Sequence, residues 1–128
     1  MPSKVDPTNA TPFVCDMQAI PAHERPQHLA TARQLFQSVE SIREMPDGYA
    51  FKLPAEAEVL MRAAEFIRRE RLCCPFFGFA LDVEPEGGGM WLRLSGREGV
   101  KEFIRAEMGE FLGETADFAS LLSTEGAV

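Results

Sequence analysis

Apolar residues recur along this chain with two different periods, and each change of period marks a boundary between elements. Over residues 27 to 38, Leu29, Ala32, Leu35 and Phe36 fall on one helical stripe, which predicts a helix. Val39 to Met45 then reads as a moderate strand and Pro46-Asp47-Gly48 as a turn. Tyr49, Phe51 and Leu53 alternate as a returning strand that Pro54 ends. From Glu56 to about Cys73 the helical period is clearest. Val59, Ala63, Phe66 and Ile67 make its apolar face, and Arg62, Arg68 and Arg69 are expected to point largely away. Pro75 stops this helix by removing a donor and restricting Cys74 before it.

Phe77, Phe79, Leu81 and Val83 next alternate with Gly78, Ala80 and Asp82, a strand pattern. Glu84 to Gly89 is a flexible turn, and Met90 to Ser95 returns as the partner strand. A last long helix is expected to start near Arg97 and to pack through Val100, Phe103, Ile104 and Met108. Beyond Gly113, residues 115 to 123 place Phe118, Leu121 and Leu122 on a short helical period, either capping the core or joining a second subunit. Near the start, Phe13, Cys15 and Met17 alternate with polar or smaller neighbours as a short strand or an extended arm.

These elements give an α+β fold. An antiparallel sheet of about four strands follows a β-β-α-β-β-α order after an initial helix, with helices covering one face. The hairpin-plus-helix unit occurs twice, a weak symmetry of architecture without visible sequence repetition. The expected organisation is a flexible N-terminal segment at 1–12, one domain at 13–113, and a helical tail at 114–128 that caps the core or forms an interface.

Composition narrows the partners. The chain has 128 residues, 45% hydrophobic and 26% charged, which suits one domain with a modest core to which ten phenylalanines contribute. No apolar run is long enough to cross a bilayer, and the opening Met1-Pro2-Ser3-Lys4-Val5-Asp6 does not read as a secretory signal, so no membrane partner and a cytoplasmic location are expected. The formal net charge of −7 repels nucleic acid unless basic residues cluster. Arg68-Arg69-Glu70-Arg71 is the one such run, and it reads as a solvated helix face. No nucleic-acid partner is expected; a homodimer through the tail stays open.

The candidate chemistry centres on cysteine. Three cysteines make an odd count, which rules out a complete set of internal disulfides and favours free thiols, a metal site or a redox pair. Phe66, Glu70 and Cys73 fall nearly in line on the long helix, so its apolar stripe runs into a carboxylate and then a thiol. Glu70 there needs a partner, with Arg25, His28 or a neighbouring arginine as candidates. The negative end of the helix disfavours thiolate at Cys73 or Cys74, so catalysis would need a cation such as Arg71, Arg25 or His28; a coordinated metal would serve directly. Adjacent cysteines match neither structural zinc spacing nor the two-residue redox spacing. Together with Cys15 they would make a three-sulfur site for a soft ion such as copper(I) or mercury(II), with zinc, through His23 or His28, the harder alternative.

Metal ligands are therefore sought among Cys15, Cys73, Cys74 and His28, and catalytic groups among Cys73, Cys74, Glu70 and Arg25. Against both stands a plain reading in which the thiols fill a helix-to-strand corner and His28 sits on a helix surface. Asp16, next to Cys15, would orient a proton or bind a cation. Gly87-Gly88-Gly89 lacks the residues of a phosphate loop and is a turn. Trp91 belongs on an exposed sheet face or in an interface, and the methionines are packing.

The run Glu70-Arg71-Leu72-Cys73-Cys74-Pro75-Phe76-Phe77-Gly78-Phe79, with Phe13-Val14-Cys15-Asp16, Arg25, His28 and Gly48-Tyr49, resembles a signature of small uncharacterised bacterial proteins, some encoded near mercury or other metal-resistance functions. The resemblance spans most of residues 13 to 108. It implies that Cys15, Arg25, His28, Glu70, Cys73 and Cys74 converge, and it carries no activity. Organomercurial lyases also combine cysteines with an aspartate, but the spacing here does not match theirs. Three functions follow for comparison: a soft-metal or metalloid binding protein, a thiol-dependent enzyme or redox protein, and a binding or assembly module with structural cysteines.

Overall fold

Helix α1 (Arg25–Gln37) follows two short 3₁₀ turns at Met17–Ala19 and Ala22–Glu24 and leads into the hairpin β1 (Ser41–Met45) and β2 (Gly48–Leu53). Helix α2 (Ala57–Cys73), a second hairpin of β3 (Gly78–Val83) and β4 (Met90–Ser95), helix α3 (Val100–Leu112) and the short α4 (Phe118–Leu121) complete the chain. The computed structural model describes residues 13–113 and 117–122. The expected flexible segment at 1–12 and the remainder of the tail lie outside them.

The four strands form one antiparallel sheet in the order β1-β2-β4-β3. Each hairpin thus contributes one central and one edge strand, and the two hairpin-plus-helix units meet symmetrically along β2 and β4. Gly48 sits where β2 crosses the end of β4, so close that a Cβ there would lie 1.9 Å from the Leu94 carbonyl oxygen. Only glycine fits that crossing.

Period-two alternation explains the two faces of the sheet. Ile42, Tyr49, Phe51, Leu53, Met90, Leu92 and Leu94 are buried with Phe36 and Phe66 of the helices. Phe36 is the hub, edge-on to Phe51 at 5.1 Å and to Phe66 at 5.3 Å. Aromatic pairs in this geometry add to the area they bury. On the other face Trp91 is covered by the Arg43 guanidinium, 4.1 Å from its ring centre. Arg93 pairs there with Asp82 at 2.9 Å.

Three local expectations need correction. Arg69 does not face solvent: it is buried, with Nε 2.9 Å from Glu24 and an ion pair to Glu65 on its own helix. The charge of Glu24, delivered by the turn before α1, makes that burial tolerable. Helix α3 begins at Val100 because Gly99 adopts φ +98, outside the helical region. Asp16 caps the first 3₁₀ turn, accepting from the Gln18 amide at 3.1 Å. In the tail, Phe118 packs edge-on to Tyr49 at 4.9 Å, and Leu122 bridges to Ile42 of β1. The described part of the tail therefore covers its own chain's core.

Candidate functional site

The site forms where α2 stops. Continuing helix would send neighbouring side chains about 100° apart. Pro75 prevents that: Cys74 leaves the helix at φ −129, ψ 70, while its amide still donates to the Glu70 carbonyl at 2.8 Å. The break turns both sulfurs into one space, 3.7 Å apart and essentially unexposed.

The arm at 13–20 delivers the third sulfur. The Asp16 amide donates to the Cys73 carbonyl at 2.9 Å, so the peptide after Cys15 is joined to the peptide before Cys74. Phe13 packs on Phe76 at 5.2 Å and lies over Gly99, whose missing side chain leaves room for the ring. Ile20 is fully buried. Arg25 fastens the loop between them, its Nε donating to the carbonyls of Met17 at 2.9 Å and Ile20 at 3.0 Å. The guanidinium sought as a cation for the thiols thus holds the arm by its backbone. Cys15 Sγ comes to rest 3.0 Å from Cys74 Sγ, a residue 59 positions away.

Two carboxyl groups close the ring. Glu70 is buried, with Oε1 3.6 Å from Cys73 Sγ and 2.8 Å from His28 Nε2. His28 is itself buried against Phe66, rings stacked at 5.7 Å, rather than on a helix surface. It stands behind Glu70 and orients it. Glu70 Oε2 and His28 Nδ1 are buried without a hydrogen-bond partner. Glu107 of α3 is the second carboxyl, with Oε2 2.5 Å from Cys15 Sγ and Oε1 3.9 Å from Cys74 Sγ. The ligand atoms of Cys15, Glu70, Cys73 and Cys74 all lie within 4.8 Å of one another. A cavity of about 240 Å³ opens beside them, lined also by Met17, Leu29, Arg33, Glu107, Glu110 and Phe111.

Glu107 is not among the candidates that the cysteine pattern brings forward, although the sequence carries a signal for it. Phe103, Glu107 and Phe111 are spaced four apart on α3, so an acid interrupts a column of half-buried phenylalanines. The same interruption drew attention to Glu70. His23, by contrast, is exposed and pairs with Glu24, and Arg71 is exposed on the outer side of α2.

The thiols titrate as a set. Donation from Cys15 and Cys74 lowers Cys73 to about 6, against burial and the Glu70 carboxylate, which raise it. Donating raises Cys74, first toward Cys15 and then toward Cys73, with burial adding to it. Cys15 is raised chiefly by its bond with Cys73 and further by burial. Burial, then repulsion from Glu70, pushes Glu107 up to about 10. One thiolate shared among three sulfurs, next to a protonated carboxyl, is the arrangement these shifts describe.

No helix among the described residues is long and apolar enough to cross a membrane. Comparison with protein-family models, curated proteins and solved structures gives no match to this chain.

Proposed function

We propose that this protein binds one soft, thiophilic ion through Cys15, Cys73 and Cys74. The observation that carries the reading is the meeting of three free sulfurs from two distant segments, held there by an arm with its own anchors. Thiolate ligands select copper(I), mercury(II) and similar soft ions over calcium or magnesium. The 3.7 Å separation of Cys73 and Cys74 also suits zinc, since bonds of ~2.3 Å at tetrahedral angles put sulfurs ~3.8 Å apart. Glu70 would then supply the fourth, oxygen ligand, oriented by His28.

Charge supports coordination. Three thiolates beside two carboxyl groups need positive charge, and Arg33, the one arginine among the described residues that line the cavity, is solvent-exposed. A bound cation supplies that charge at the sulfurs themselves. The lowered Cys73 thiol favours a second reading, thiol catalysis, but its sulfur is sealed from solvent at 1% exposure. An electrophile would meet Cys15 first, whose thiol is raised. Handling of the ion, in resistance or transfer, is the role that fits such a site.

Native mass spectrometry of the reduced protein, titrated with copper(I), mercury(II) and zinc, tests the reading. One ion per chain is expected, with retention weakened by serine at position 15, 73 or 74. A protein that retains no ion with all three thiols reduced overturns it. Alkylation against pH tests the second reading: rapid modification of Cys73 near pH 6 would restore catalysis to first place.

A further inference from the structure

We infer that the three-sulfur site is built for a neutral trivalent metalloid hydroxide, of the arsenite or antimonite class, which condenses with Cys15, Cys73 and Cys74. The inference rests on the thiol-site reading above and names its ligand.

Net charge is the first argument. Three thiolates carry three negative charges, so a monovalent ion leaves two uncompensated and a divalent ion leaves one. Cys73, Cys74 and Glu70 are all at least 99% buried, and an uncompensated charge is expensive there. Among the described residues, the hydrogen-bond contacts of the sulfurs are not cationic; they are one another, the Glu70 carboxylate and carbonyl, and Glu107. A trivalent centre alone brings three thiolates to neutrality.

Sulfur spacing is the second. A trivalent metalloid keeps a lone pair, which folds its three bonds to one side at angles near a right angle. With bonds of ~2.3 Å, comparable to those zinc makes to sulfur, the sulfurs lie ~3.3 Å apart. The 3.0 Å between Cys15 and Cys74 falls well inside a tetrahedral edge and nearer the folded one, while the 3.7 Å between Cys73 and Cys74 is close to the tetrahedral edge. The compressed Cys15–Cys74 pair suits a centre that sits on top of the sulfurs.

The surroundings fit a hydroxide guest. The cavity beside Cys15 and Cys73 is lined by Glu70 and His28, each of which carries a buried polar atom without a hydrogen-bond partner, Glu70 Oε2 and His28 Nδ1. A neutral guest is not repelled by the −7 chain, whereas pentavalent oxyanions of the same element are.

The chemistry balances without any oxidant. At each step a metalloid–sulfur bond replaces a metalloid–oxygen bond, and a proton leaves with the hydroxide as water. Cys73 enters as the thiolate, and the protonated Glu107 carboxyl supplies the third proton. Two thiols, one thiolate, one carboxyl and one trihydroxide thus give one tris-thiolate, one carboxylate and three waters, with no change of oxidation state and no proton released. Glu107, touching Cys15 and 3.9 Å from Cys74, is placed to pass a proton to the departing hydroxide.

The test titrates the reduced full-length protein with arsenite, arsenate, zinc and copper(I), read by native mass spectrometry and by proton release in weak buffer. Arsenite is expected to add one arsenic with loss of three waters and no proton release, while arsenate does not bind. Cys15→Ser should weaken arsenite binding by roughly tenfold or more, since even changing a group behind a ligand costs that much. Glu70→Gln should weaken zinc binding more than arsenite binding, because the carboxylate is a ligand only to the tetrahedral ion. Circular dichroism of each apo variant separates loss of a ligand from loss of the fold. An adduct that has lost only two waters, leaving Cys15 open to alkylation, overturns the inference. So does retention of zinc or copper(I) without arsenite, which leaves the thiol-site reading standing. Retention of none of them ends both.

Discussion

Glu107 offers a sharp test of the site's electrostatics, because its proton is linked to folding. Its carboxyl moves from 4.5 to about 10 through burial first and the nearby Glu70 carboxylate second. Between those values the folded chain holds a proton that the unfolded chain has lost. The stabilisation from protonated Glu107 is fully present below 4.5 and declines as pH rises toward 10. Cys73 acts in the opposite sense: lowered from 9.0 to about 6, it contributes stability above 9 that is lost as pH falls to 6. The two oppose each other between 6 and 9, so the range from 4.5 to 6 isolates Glu107. One linked proton changes stability by at most ~1.4 kcal/mol per pH unit, and partial access to water reduces this, so ~1–2 kcal/mol should vanish across that range. Glu107→Gln keeps the shape and cannot ionise. The stability difference, variant minus wild type, should therefore grow by ~1–2 kcal/mol from pH 4.5 to 6. Urea unfolding of reduced, chelator-treated protein, followed by the fluorescence of the single Trp91, measures it. Parallel stability curves for the two proteins would refute the reasoning.

Phe66→Ala should cost ~3–5 kcal/mol in the same assay, since a fully buried ring contacting Phe36, His28 and Phe79 is removed; a loss under ~1 kcal/mol would mean the α2 face is misassigned. Mild oxidation of the apo protein should close Cys15–Cys74 before the neighbouring Cys73–Cys74 pair, and peptide mapping that finds the vicinal disulfide first would contradict the arm's position. Arg25→Ala removes the donors to Met17 and Ile20, so hydrogen exchange at the Asp16 amide should accelerate while core amides keep their protection. His28→Ala strands the Glu70 carboxylate and should cost ~3–5 kcal/mol at pH 7; a neutral effect in thermal melts would show that Glu70 has water to turn to.

Period and punctuation made the framework legible. The alternation of Tyr49, Phe51 and Leu53, the stripe from Val59 to Phe66 and the stop at Pro75 each reflect one local cause, and the elements stand where those causes put them. Arg69 shows where such reasoning ends. Its helical position is readable from spacing, but the acid that permits its burial comes from Glu24, 45 residues earlier. Cys15 and Glu107 are of the same kind. Their meeting at α2 depends on the path of an arm and on the rotation of α3, both set by tertiary packing. Glu70 was readable as an anomaly, an acid on an apolar stripe, whereas the choice of His28 over Arg25 as its partner was not. That choice follows from the Arg25 guanidinium turning to backbone carbonyls, which no spacing rule encodes.

The three ligands are not equally fixed. Cys73 and Cys74 belong to the end of a 17-residue helix and are sealed in the core, so their positions cost nothing further to maintain once the domain has folded. Cys15 rides on an arm held by one backbone bond at Asp16, the Arg25 contacts and the packing of Phe13. An ion bound to all three sulfurs therefore cross-links the arm to the helix. By linkage it stabilises only those states in which the arm is docked, by an amount set by its concentration relative to its dissociation constant. Ligand binding should then protect the Asp16 amide by the same factor as core amides that exchange through global unfolding, since both openings release the ion. A two-sulfur complex on Cys73 and Cys74 would leave that amide unchanged. Exchange at this one position thus reports whether Cys15 takes part, independently of which ion is bound.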